Sequence, residues 1–374
     1  MHPKKEGDDF MERRKFVKAA GVAGVAAAAT AASSFPSPAI AQGKKKWIGV
    51  NTFGKTGALG KAMDAFADFV GKASDGKLTI KVYHGGELVK PFESFDAVQS
   101  GTAQIGWGAP YYWTGKSHAI QFVATMPFGL NAQEQNGWFY NAGGIEASNK
   151  IYNELGLQFL PCGNTGNQMG GWYNKEINST DDLNGLKFRM PGLGGEILKS
   201  FGVNVVLLPG TEVLAALTSG QIDGTEWIGP ASDLGKGLYK VAKYYYHPGW
   251  HEPATVLDCF ISKKEFDALD DGLRAIVESA AAMTNIKLLS FFQAVNNAAM
   301  DKLINEHNVQ MREYNEDLLK AIGNRASTLL PEIAGKDPMS KELYENIIAY
   351  RKTSVNWARL SEGAFIKARD YADL

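Results

Sequence analysis

Two charged side chains stand where short apolar segments of this chain end. Arg189 lies in LKFRMPG, just before a Pro-Gly pair, and Glu226 lies beside Trp227 in DGTEWIGP. A guanidinium on a buried strand needs an anionic partner, and its planar fork suits a carboxylate held by two hydrogen bonds. We therefore predict that Arg189 binds the carboxylate of a small ligand. An ion pair between Arg189 and a glutamate is the structural alternative.

Further oxygen donors accompany Glu226 and predict a cation site. Glu252 lies in YYYHPGWHEP, and GNTGNQMGGW offers Asn164 and Gln168. Two glutamates at neighbouring strand ends repel each other unless a cation lies between them. Neutral oxygens, such as that of Gln168, complete a site for a hard cation. We predict that Glu226, Glu252 and Gln168 hold a metal ion that also touches the ligand. The alternatives are that Gln168 is a plain turn residue and that the aromatic residues are plain core.

The charges of this set bear on the identity of the ion. Two glutamates and a ligand carboxylate, set against one arginine, leave a net charge of about −2, which a divalent ion neutralises and sodium does not. The count favours calcium. Sodium stays open as well, because a backbone carbonyl can replace the carboxylate of Glu226 as a ligand.

Alternating strands and helices must position these residues. Trp47–Val50 reads as a strand, 59–70 as an amphipathic helix and Leu78–Tyr83 as a half-buried strand, which together form a βαβ unit. Further short strands are predicted at 158–161, 171–173, 186–190 and 205–208, with helices at 131–155, 194–201 and 211–219. This pattern predicts an α/β fold that binds ligands at the carboxyl ends of its strands.

The last part of the chain is predicted to be helical. From Lys264 to about Asn308 the sequence is nearly free of helix breakers, which predicts one very long helix or two nearly continuous ones. A closing helix is predicted from Lys341 to Tyr371. No segment after the leader is expected to be long and apolar enough to span a membrane.

The first residues read as an export signal. Arg13-Arg14-Lys15-Phe16-Val17-Lys18 is a twin-arginine signature, followed by a weakly apolar, alanine-rich run. The small-residue pattern around Ala41 predicts cleavage there, so 1–41 is expected to be a Tat signal peptide. An amphipathic helix or a membrane anchor is the alternative. The mature protein is expected to be periplasmic.

Composition argues against nucleic acid as a partner and leaves open whether the two cysteines form a disulfide. The chain has 374 residues and a formal net charge of −1, enough length for two lobes and too little positive charge to indicate nucleic acid. Its two cysteines, Cys162 and Cys259, lie in apolar runs. They are expected to be buried free thiols, with a single bridge as the alternative.

One motif points to a different function. The segment 49–56, GVNTFGKT, satisfies the phosphate-loop pattern and lies between a predicted strand and a predicted helix. Its interior carries Val50 and Phe53, and we find no second strand that ends in the aspartate a magnesium-dependent nucleotide hydrolase needs. Metalloprotease, nucleophile-elbow and clustered Cys/His signatures are also missing. We therefore expect a cleft-bordering loop and no nucleotide.

Taken together, these motifs resemble those of the periplasmic substrate-binding subunits of tripartite ATP-independent periplasmic (TRAP) transporters. The resemblance covers essentially the whole mature chain. It is carried by the four segments above, with GELV at 86–89 and YYW at 111–113 before Gly115-Lys116. It is strongest to the branch that binds 2-oxo acids such as pyruvate, with a calcium-lactate relative.

The resemblance implies roles for individual residues. The arginine matching Arg189 pairs with the substrate carboxylate, and the glutamine matching Gln168 contacts both substrate and metal. The glutamates matching Glu226 and Glu252 hold the cation, helped by the backbone of the residue matching Trp227. Substrate contacts are further implied for Asn164, Tyr111 and Tyr112, and His251 stands here where relatives carry an aromatic residue.

The resemblance also implies a two-lobed periplasmic-binding-protein-like fold that closes around its ligand. Lobe 1 is expected at 46–163 and 253–290, lobe 2 at 164–252 and 291–338, and a C-terminal helix at 339–374. The expected function is a TRAP receptor, not an enzyme, that delivers a 2-oxo or 2-hydroxy monocarboxylate to a membrane permease. A homodimer through the C-terminal helix is a further expectation. A secreted metal-dependent lyase or hydrolase is the rival function.

Overall fold

The computed structural model describes residues 43–373. The predicted signal peptide at 1–41 lies outside these residues. In chain order, the strands are β1 (Lys45–Asn51), β2 (Leu78–Tyr83), β3 (Ile105–Gly108), β4 (Leu157–Asn164), β5 (Gly171–Tyr173), β6 (Lys187–Arg189), β7 (Asn204–Val206), β8 (Gly224–Thr225), β9 (Tyr244–His247), β10 (Val256–Ser262) and β11 (Gln310–Glu313).

The helices outnumber the strands in residues. They are α1 (Ala58–Ala73), α2 (Ser94–Gln99), α3 (Ile120–Ala124), α4 (Ala132–Asn141), α5 (Gly144–Glu154), α6 (Gly192–Lys199), α7 (Val213–Thr218), α8 (Pro230–Lys236), α9 (Lys263–Asp267), α10 (Asp271–Asn305), α11 (Glu316–Ala334), α12 (Pro338–Leu360) and α13 (Glu362–Arg369). Single 3-10 turns lie at Pro91–Glu93, Pro110–Trp113, Thr180–Leu183 and Leu238–Lys240.

The strands form two sheets, which confirms the predicted α/β class. The first has the order β2-β1-β3-β10-β4 and the second the order β11-β9-β5-β8-β6-β7. In the first sheet β1 runs parallel to β2 and β3, whereas β10 runs antiparallel to β3 and β4. In the second sheet β6 runs parallel to both β7 and β8. The carboxyl ends of β6 and β8 therefore lie side by side.

Two short chain segments pass from one sheet to the other, besides the long helical stretch between β10 and β11. Residues 165–170 join β4 to β5, and residues 248–255 join β9 to β10. Backbone hydrogen bonds tie these crossing segments together: Gln168 N–H donates to Glu252 C=O at 3.1 Å, and Thr165 N–H donates to Thr255 C=O at 3.1 Å. A side chain at Gly249 would place its Cβ 2.2 Å from the carbonyl oxygen of Gln168, so only glycine allows this approach.

The long helix α10 packs along both sheets. Val277 and Ala281 join the core under the first sheet, whereas Leu303 joins the core of the second. Within residues 43–373, one helix, α10, is long and apolar enough to cross a membrane. The expectation that no segment after the leader would meet this criterion of length and composition is therefore wrong. Part of its apolar surface is used for packing, since ten residues of the helix, eight of them apolar, are buried.

Several predicted helices are divided. The predicted helix 131–155 is two helices, α4 and α5, separated at Gly143, whose φ of +79° suits glycine. The stretch from Lys264 is the short α9 and the 35-residue α10, which begins where Asp270 accepts a hydrogen bond from Leu273 N–H. The closing helix is α12 and α13.

Two open questions from the sequence have structural answers. Cys162 and Cys259 are buried free thiols on the paired strands β4 and β10. Gly49, the first glycine of the phosphate-loop pattern, lies inside β1, and a Cβ there would come within 2.8 Å of the Trp107 ring. The motif is therefore strand and loop, not a phosphate cradle.

Candidate functional site

The core of the site is a buried ion pair at two adjacent strand ends. Arg189 ends β6, Glu226 directly follows β8, and Arg189 is in register with Thr225 across the sheet. The Nη1 of Arg189 donates to Oε1 of Glu226, and both side chains are 1% exposed. Arg189 thus forms the ion pair with a glutamate that was the alternative, and the binding of a ligand carboxylate by Arg189 stays a prediction.

Arg189 has few other partners. Its Nε donates to Leu208 C=O at 3.2 Å, and its Nη2 lies 3.4 Å from the hydroxyl of Tyr112. The guanidinium also lies 5.4 Å from the centre of the Trp227 ring. Burial alone would lower the pKa of Arg189, but the charge of Glu226 together with Tyr112 and Tyr111 outweighs it and raises that pKa, so the residue stays charged.

Glu252 lies on the second crossing segment and is held through one oxygen. Its Oε2 accepts hydrogen bonds from Gln168 Nε2 at 2.7 Å, from the hydroxyl of Thr255, and from the hydroxyl of Tyr111 at 3.4 Å. A carboxylate only accepts, so the amide of Gln168 must present nitrogen to Glu252 and turn its own oxygen away. Burial, followed by the charge of Glu226, raises the pKa of Glu252 to about 7.

Burial also raises the pKa of Glu226 to about 7, although the charge of Arg189 opposes the shift. The two carboxyl groups therefore hold protons more readily than exposed glutamates do. An added cation reverses this preference, because it favours the ionised form of both.

His251 lies in the site, although sequence reasoning gave it no role toward the ligand or the cation. It is fully buried, and its Nε2 lies 3.7 Å from Oε2 of Glu226. Burial lowers the pKa of His251 to about 4, so the imidazole is neutral at neutral pH. The signal was available in the sequence, since His251 directly precedes Glu252.

Buried polar atoms without partners converge on this place. Oε1 of Gln168, Oε2 of Glu226 and both ring nitrogens of His251 have no hydrogen-bond partner. One ligand atom from each of Glu226, His251 and Glu252 can be chosen so that all lie within 4.8 Å of one another. Unpaired buried polar atoms are costly, and a bound cation would satisfy several of them at once. The residues present therefore fit a metal ion.

The tyrosines approach the site from the first sheet. Tyr111 and Tyr112 lie on the 3-10 turn Pro110–Trp113 that follows β3. Their hydroxyls reach Glu252 and Arg189 respectively, as given above. The site is thus built from both sheets and both crossing segments.

Trp227 separates the ion pair from an adjacent cavity. The amine of Lys236 lies 3.9 Å from the centre of its ring and donates to Gly210 C=O at 2.6 Å. A cavity of about 370 Å³ adjoins them, with apolar walls that include Phe53, Leu59, Phe291 and Phe292. The loop of the phosphate-loop pattern also borders this cavity.

Asn164 has other partners. Its amide donates to Gln135 Oε1 at 2.8 Å and its oxygen accepts from Gly166 N–H at 2.8 Å. These bonds fix the start of the first crossing segment. The structure thus brings together Arg189, Gln168, Glu226, Glu252, Tyr111 and Tyr112, with Trp227 alongside, whereas the polar atoms of Asn164 are engaged elsewhere.

The sequence matches a family of known proteins. The DctP profile, bacterial extracellular solute-binding protein, family 7, matches residues 51–337. The monocarboxylate 2-oxoacid-binding periplasmic protein of Nostoc sp. (strain PCC 7120) is 36% identical over 354 residues, which cover 94% of this chain and 97% of that protein.

Solved structures share the fold. A TRAP periplasmic solute binding protein from Pseudoalteromonas atlantica, with bound sodium and pyruvate, is 36% identical with a TM-score of 0.84, covering 87% of this chain and 99% of that one. Another from Colwellia psychrerythraea, with bound calcium and pyruvate, is 38% identical with a TM-score of 0.84 and the same coverage of 87% and 99%. Both are similar over nearly their whole length.

Proposed function

Because this chain belongs to the DctP family of bacterial extracellular solute-binding proteins (family 7), the periplasmic receptors of TRAP transporters, we propose that it binds a small 2-oxo or 2-hydroxy monocarboxylate together with a cation. The observation that carries this proposal is the buried group of Arg189, Glu226 and Glu252, in which Oε2 of Glu226 and the neighbouring Oε1 of Gln168 lack hydrogen-bond partners. Two similar proteins were solved with pyruvate and a cation.

We assign the ligand carboxylate to Arg189. Its Nη1 is engaged by Glu226, whereas Nη2 has only the long contact with the hydroxyl of Tyr112. That edge of the guanidinium is left for an anion, and a charge-assisted pair in a buried site is strong. The hydroxyl of Tyr112 lies at that edge, and the ring centre of Trp227 lies 5.4 Å from the guanidinium carbon.

We assign the cation to Glu226, Glu252, Gln168 and the backbone of Trp227. When bound, the ion neutralises the two carboxylates and polarises a ligand oxygen. The residues themselves hold the carboxylates in place: Thr255 and Gln168 orient Glu252, and Arg189 orients Glu226. Either calcium or sodium would serve, and the charge count favours calcium.

The protein is a periplasmic receptor by its family. We propose export through the twin-arginine pathway, cleavage after Ala41, and delivery of the ligand to the membrane subunits of a TRAP permease. Members of the family are solute-binding proteins, and we propose that this chain binds its ligand without converting it. A bound oxo acid that was turned over by the purified protein would favour the lyase or hydrolase instead.

The experiment is a thermal-shift panel on the purified protein, with pyruvate, longer 2-oxo acids, lactate, sugars and ATP, each with and without chelator. A ligand that binds only the native state raises the melting temperature by mass action. We expect stabilisation by a small oxo or hydroxy acid that disappears when the cation is removed. Stabilisation by ATP alone, or by no carboxylate, would contradict the proposal.

We also propose that the protein forms a homodimer through its C-terminal helices. The apolar residues exposed on α12 and α13 and just beyond them are Trp357, Leu360, Phe365, Ile366 and Tyr371, each at least half exposed. Such a cluster is unusual for a free surface. Light scattering of Leu360→Asp/Phe365→Asp should show monomers, while a native mass equal to one chain would refute the dimer.

A further inference from the structure

A buried aspartate holds the peptide group whose carbonyl is assigned above to the cation. Asp233 lies on α8 and is 1% exposed. Its Oδ1 accepts hydrogen bonds from the N–H groups of Ile228 and Gly229, each at 3.2 Å. These two N–H groups directly follow Trp227 in the chain. Asp233 therefore contacts the backbone of the site rather than its side chains.

The planarity of the peptide bond carries this contact to the carbonyl. The N–H of Ile228 and the C=O of Trp227 belong to one planar trans peptide group, so they point in opposite directions. Because the N–H faces Asp233, the carbonyl oxygen points away from it. No donor among residues 43–373 binds this oxygen. Reversal of the peptide plane would turn the oxygen towards the carboxylate of Asp233, which would repel it.

The other oxygen of Asp233 is fixed by the middle of the second sheet. Its Oδ2 accepts hydrogen bonds from Trp172 Nε1 at 2.9 Å and from the hydroxyl of Tyr245 at 2.7 Å. Trp172 on β5 and Tyr245 on β9 are in register, and their rings stack with 4.0 Å between the centres. Both are fully buried. Four donors thus hold the carboxylate of Asp233 in one orientation.

The same short segment is also tied to the first crossing segment, where Met169 N–H donates to Ile228 C=O at 3.0 Å. We propose that Asp233 is a positioning residue of the cation site. By holding the peptide group between Trp227 and Ile228, it keeps the carbonyl oxygen of Trp227 turned towards the cation that Glu226 binds. This inference rests on the proposed function, because it concerns the same cation.

A purely structural role for Asp233 would join α8 to the second sheet and nothing more. Both roles predict that loss of the carboxylate destabilises the fold, because buried donors lose their acceptor. Only the positioning role predicts that the folded variant binds the cation more weakly. Partners that orient a metal ligand typically change metal affinity by about 10–100-fold when they are removed. Cation affinity of the folded protein therefore separates the two roles.

The test compares Asp233→Ala with Asp233→Asn. Chelator-treated protein is titrated calorimetrically with Ca²⁺ in the presence of pyruvate, and melting curves establish that each variant is folded. We expect Asp233→Ala to weaken Ca²⁺ binding at least about tenfold. An asparagine can present its oxygen to both backbone N–H groups and its amide to the hydroxyl of Tyr245, which can rotate to accept. Asp233→Asn should therefore stay within about threefold of the native affinity. Both variants lack the charge, so their difference reports the acceptor.

Asp223→Ala is the matched control. Asp223 also accepts a backbone N–H in the second sheet, that of Lys187 at 2.9 Å, but at the opposite end of β6 and β8 from the site. Its removal should leave Ca²⁺ affinity unchanged. If Asp233→Ala does not fold, Asp233→Glu takes its place, because it keeps the charge and displaces the oxygens by one methylene. It should weaken Ca²⁺ binding more than about threefold.

A direct readout follows the carbonyl itself. Tryptophan is directly followed by isoleucine at two places in the chain, Trp47-Ile48 and Trp227-Ile228. Protein labelled with ¹³C at the tryptophan carbonyls and ¹⁵N in isoleucine therefore gives two correlated NMR signals, one from the site and one from β1 as an internal reference. Addition of Ca²⁺ with pyruvate should shift the carbonyl resonance of Trp227 and leave that of Trp47 in place. This measurement uses the native protein.

Three results would overturn the inference: native-like Ca²⁺ affinity in the folded Asp233→Ala or Asp233→Glu variant, an equal loss of affinity in Asp223→Ala, or a carbonyl resonance of Trp227 that does not move on binding. If pyruvate binds the native protein with calcium or sodium while any of these is observed, the inference alone fails. If no carboxylate binds the native protein with any cation, the proposed function fails, whatever the stabilities of the variants.

Discussion

Arg189 and Glu226 depend on each other for their burial. Removing one partner of a buried ion pair leaves an uncompensated charge and costs about 3–5 kcal/mol. Glu226 can relieve part of this cost by taking up a proton, because its pKa is already raised to about 7. The sequence alone suggests that Arg189→Met leaves the fold unaffected, and the pairing with Glu226 changes that expectation.

We therefore predict that Arg189→Met lowers the free energy of unfolding by about 3 kcal/mol and abolishes binding of oxo acids. Arg189→Met/Glu226→Gln should regain most of that stability without regaining the ligand, since no buried charge is left. Chemical denaturation and calorimetry measure both quantities. Near-native ligand affinity in Arg189→Met would show that the arginine serves the fold alone.

The two glutamates predict how stability depends on pH. Burial raises the pKa of Glu226 and Glu252 to about 7 from 4.5, so the folded protein holds protons that the unfolded chain releases. Their contribution to stability is therefore complete below about pH 4.5 and is lost as the pH rises through about 7. Metal-free protein should melt at progressively lower temperature between these values.

A bound cation should reduce or reverse that loss, because it favours the ionised carboxyl groups. Melting curves from pH 4.5 to 8, with chelator and with calcium, measure the difference. Glu226→Gln/Glu252→Gln should flatten the metal-free profile. Part of the slope should remain, because burial also raises the pKa of Asp258 to about 7. A metal-free protein that becomes more stable through this range would contradict the assignment.

At the scale of residues, the sequence predicted the charged residues of the site but no role for His251. Arg189 and Glu226 were predictable because each ends a short strand, and neighbouring parallel strands end at the same edge. His251 was not, since burial and the absence of partners are properties of the folded molecule. A substrate contact of Asn164 stays a prediction, since here its amide group binds Gln135 and Gly166 and so holds a turn.

At the scale of elements, one aspartate on β10 anchors the first sheet. Oδ2 of Asp258 accepts hydrogen bonds from Trp113 Nε1 at 2.9 Å and from the hydroxyl of Tyr152 at 2.6 Å. Trp113 lies on the 3-10 turn that carries Tyr111 and Tyr112, and Tyr152 lies on α5. Asp258 thus fixes the turn that brings both tyrosines to the site.

We predict that Asp258→Ala lowers the free energy of unfolding by about 2–6 kcal/mol, because two buried donors lose their acceptor at about 1–3 kcal/mol each. Asp258→Asn keeps an acceptor oxygen and should cost less. Asp301→Ala, on an exposed part of α10, serves as the control and should change stability little. Denaturant unfolding measures all three, and equal stabilities of the alanine and native proteins would rule out the anchor.

The sequence predicted element types better than element limits. The 35-residue α10 was foreseen because its stretch lacks breakers, and the stated alternative of two nearly continuous helices agrees with the short α9 before it, although their boundary was not located. Asp270 decides this boundary by capping the first turn of α10. Similarly, Gly143 divides α4 from α5 within one predicted helix. A single residue of either type is weak evidence in a sequence and decisive once neighbouring elements are packed.

At the scale of the whole molecule, the site joins parts that we expect to move relative to each other. Arg189 and Glu226 come from the second sheet, Tyr111 and Tyr112 from the first, and Glu252 from a crossing segment. A ligand and cation that contact all of these should favour a closed arrangement of the lobes. The strands that flank the crossing segments carry Cys162 and Cys259, where we expect the hinge.

We predict that a 2-oxo acid with its cation reduces the radius of gyration measured by small-angle scattering. Arg189→Met should show no such change under the same conditions, which separates ligand-driven closure from an effect of the salt. Identical curves for the native protein with and without ligand, at concentrations that saturate binding by calorimetry, would count against closure.

The crossing segments 165–170 and 248–255 place Gln168 and Glu252 close to the expected axis of that motion. Displacement in a rotation grows with distance from its axis, so if the lobes close as predicted, a small rearrangement around the ion would produce a much larger movement at their outer rims. A membrane partner that touches only those rims would then distinguish a loaded receptor from an empty one without any contact with the ligand.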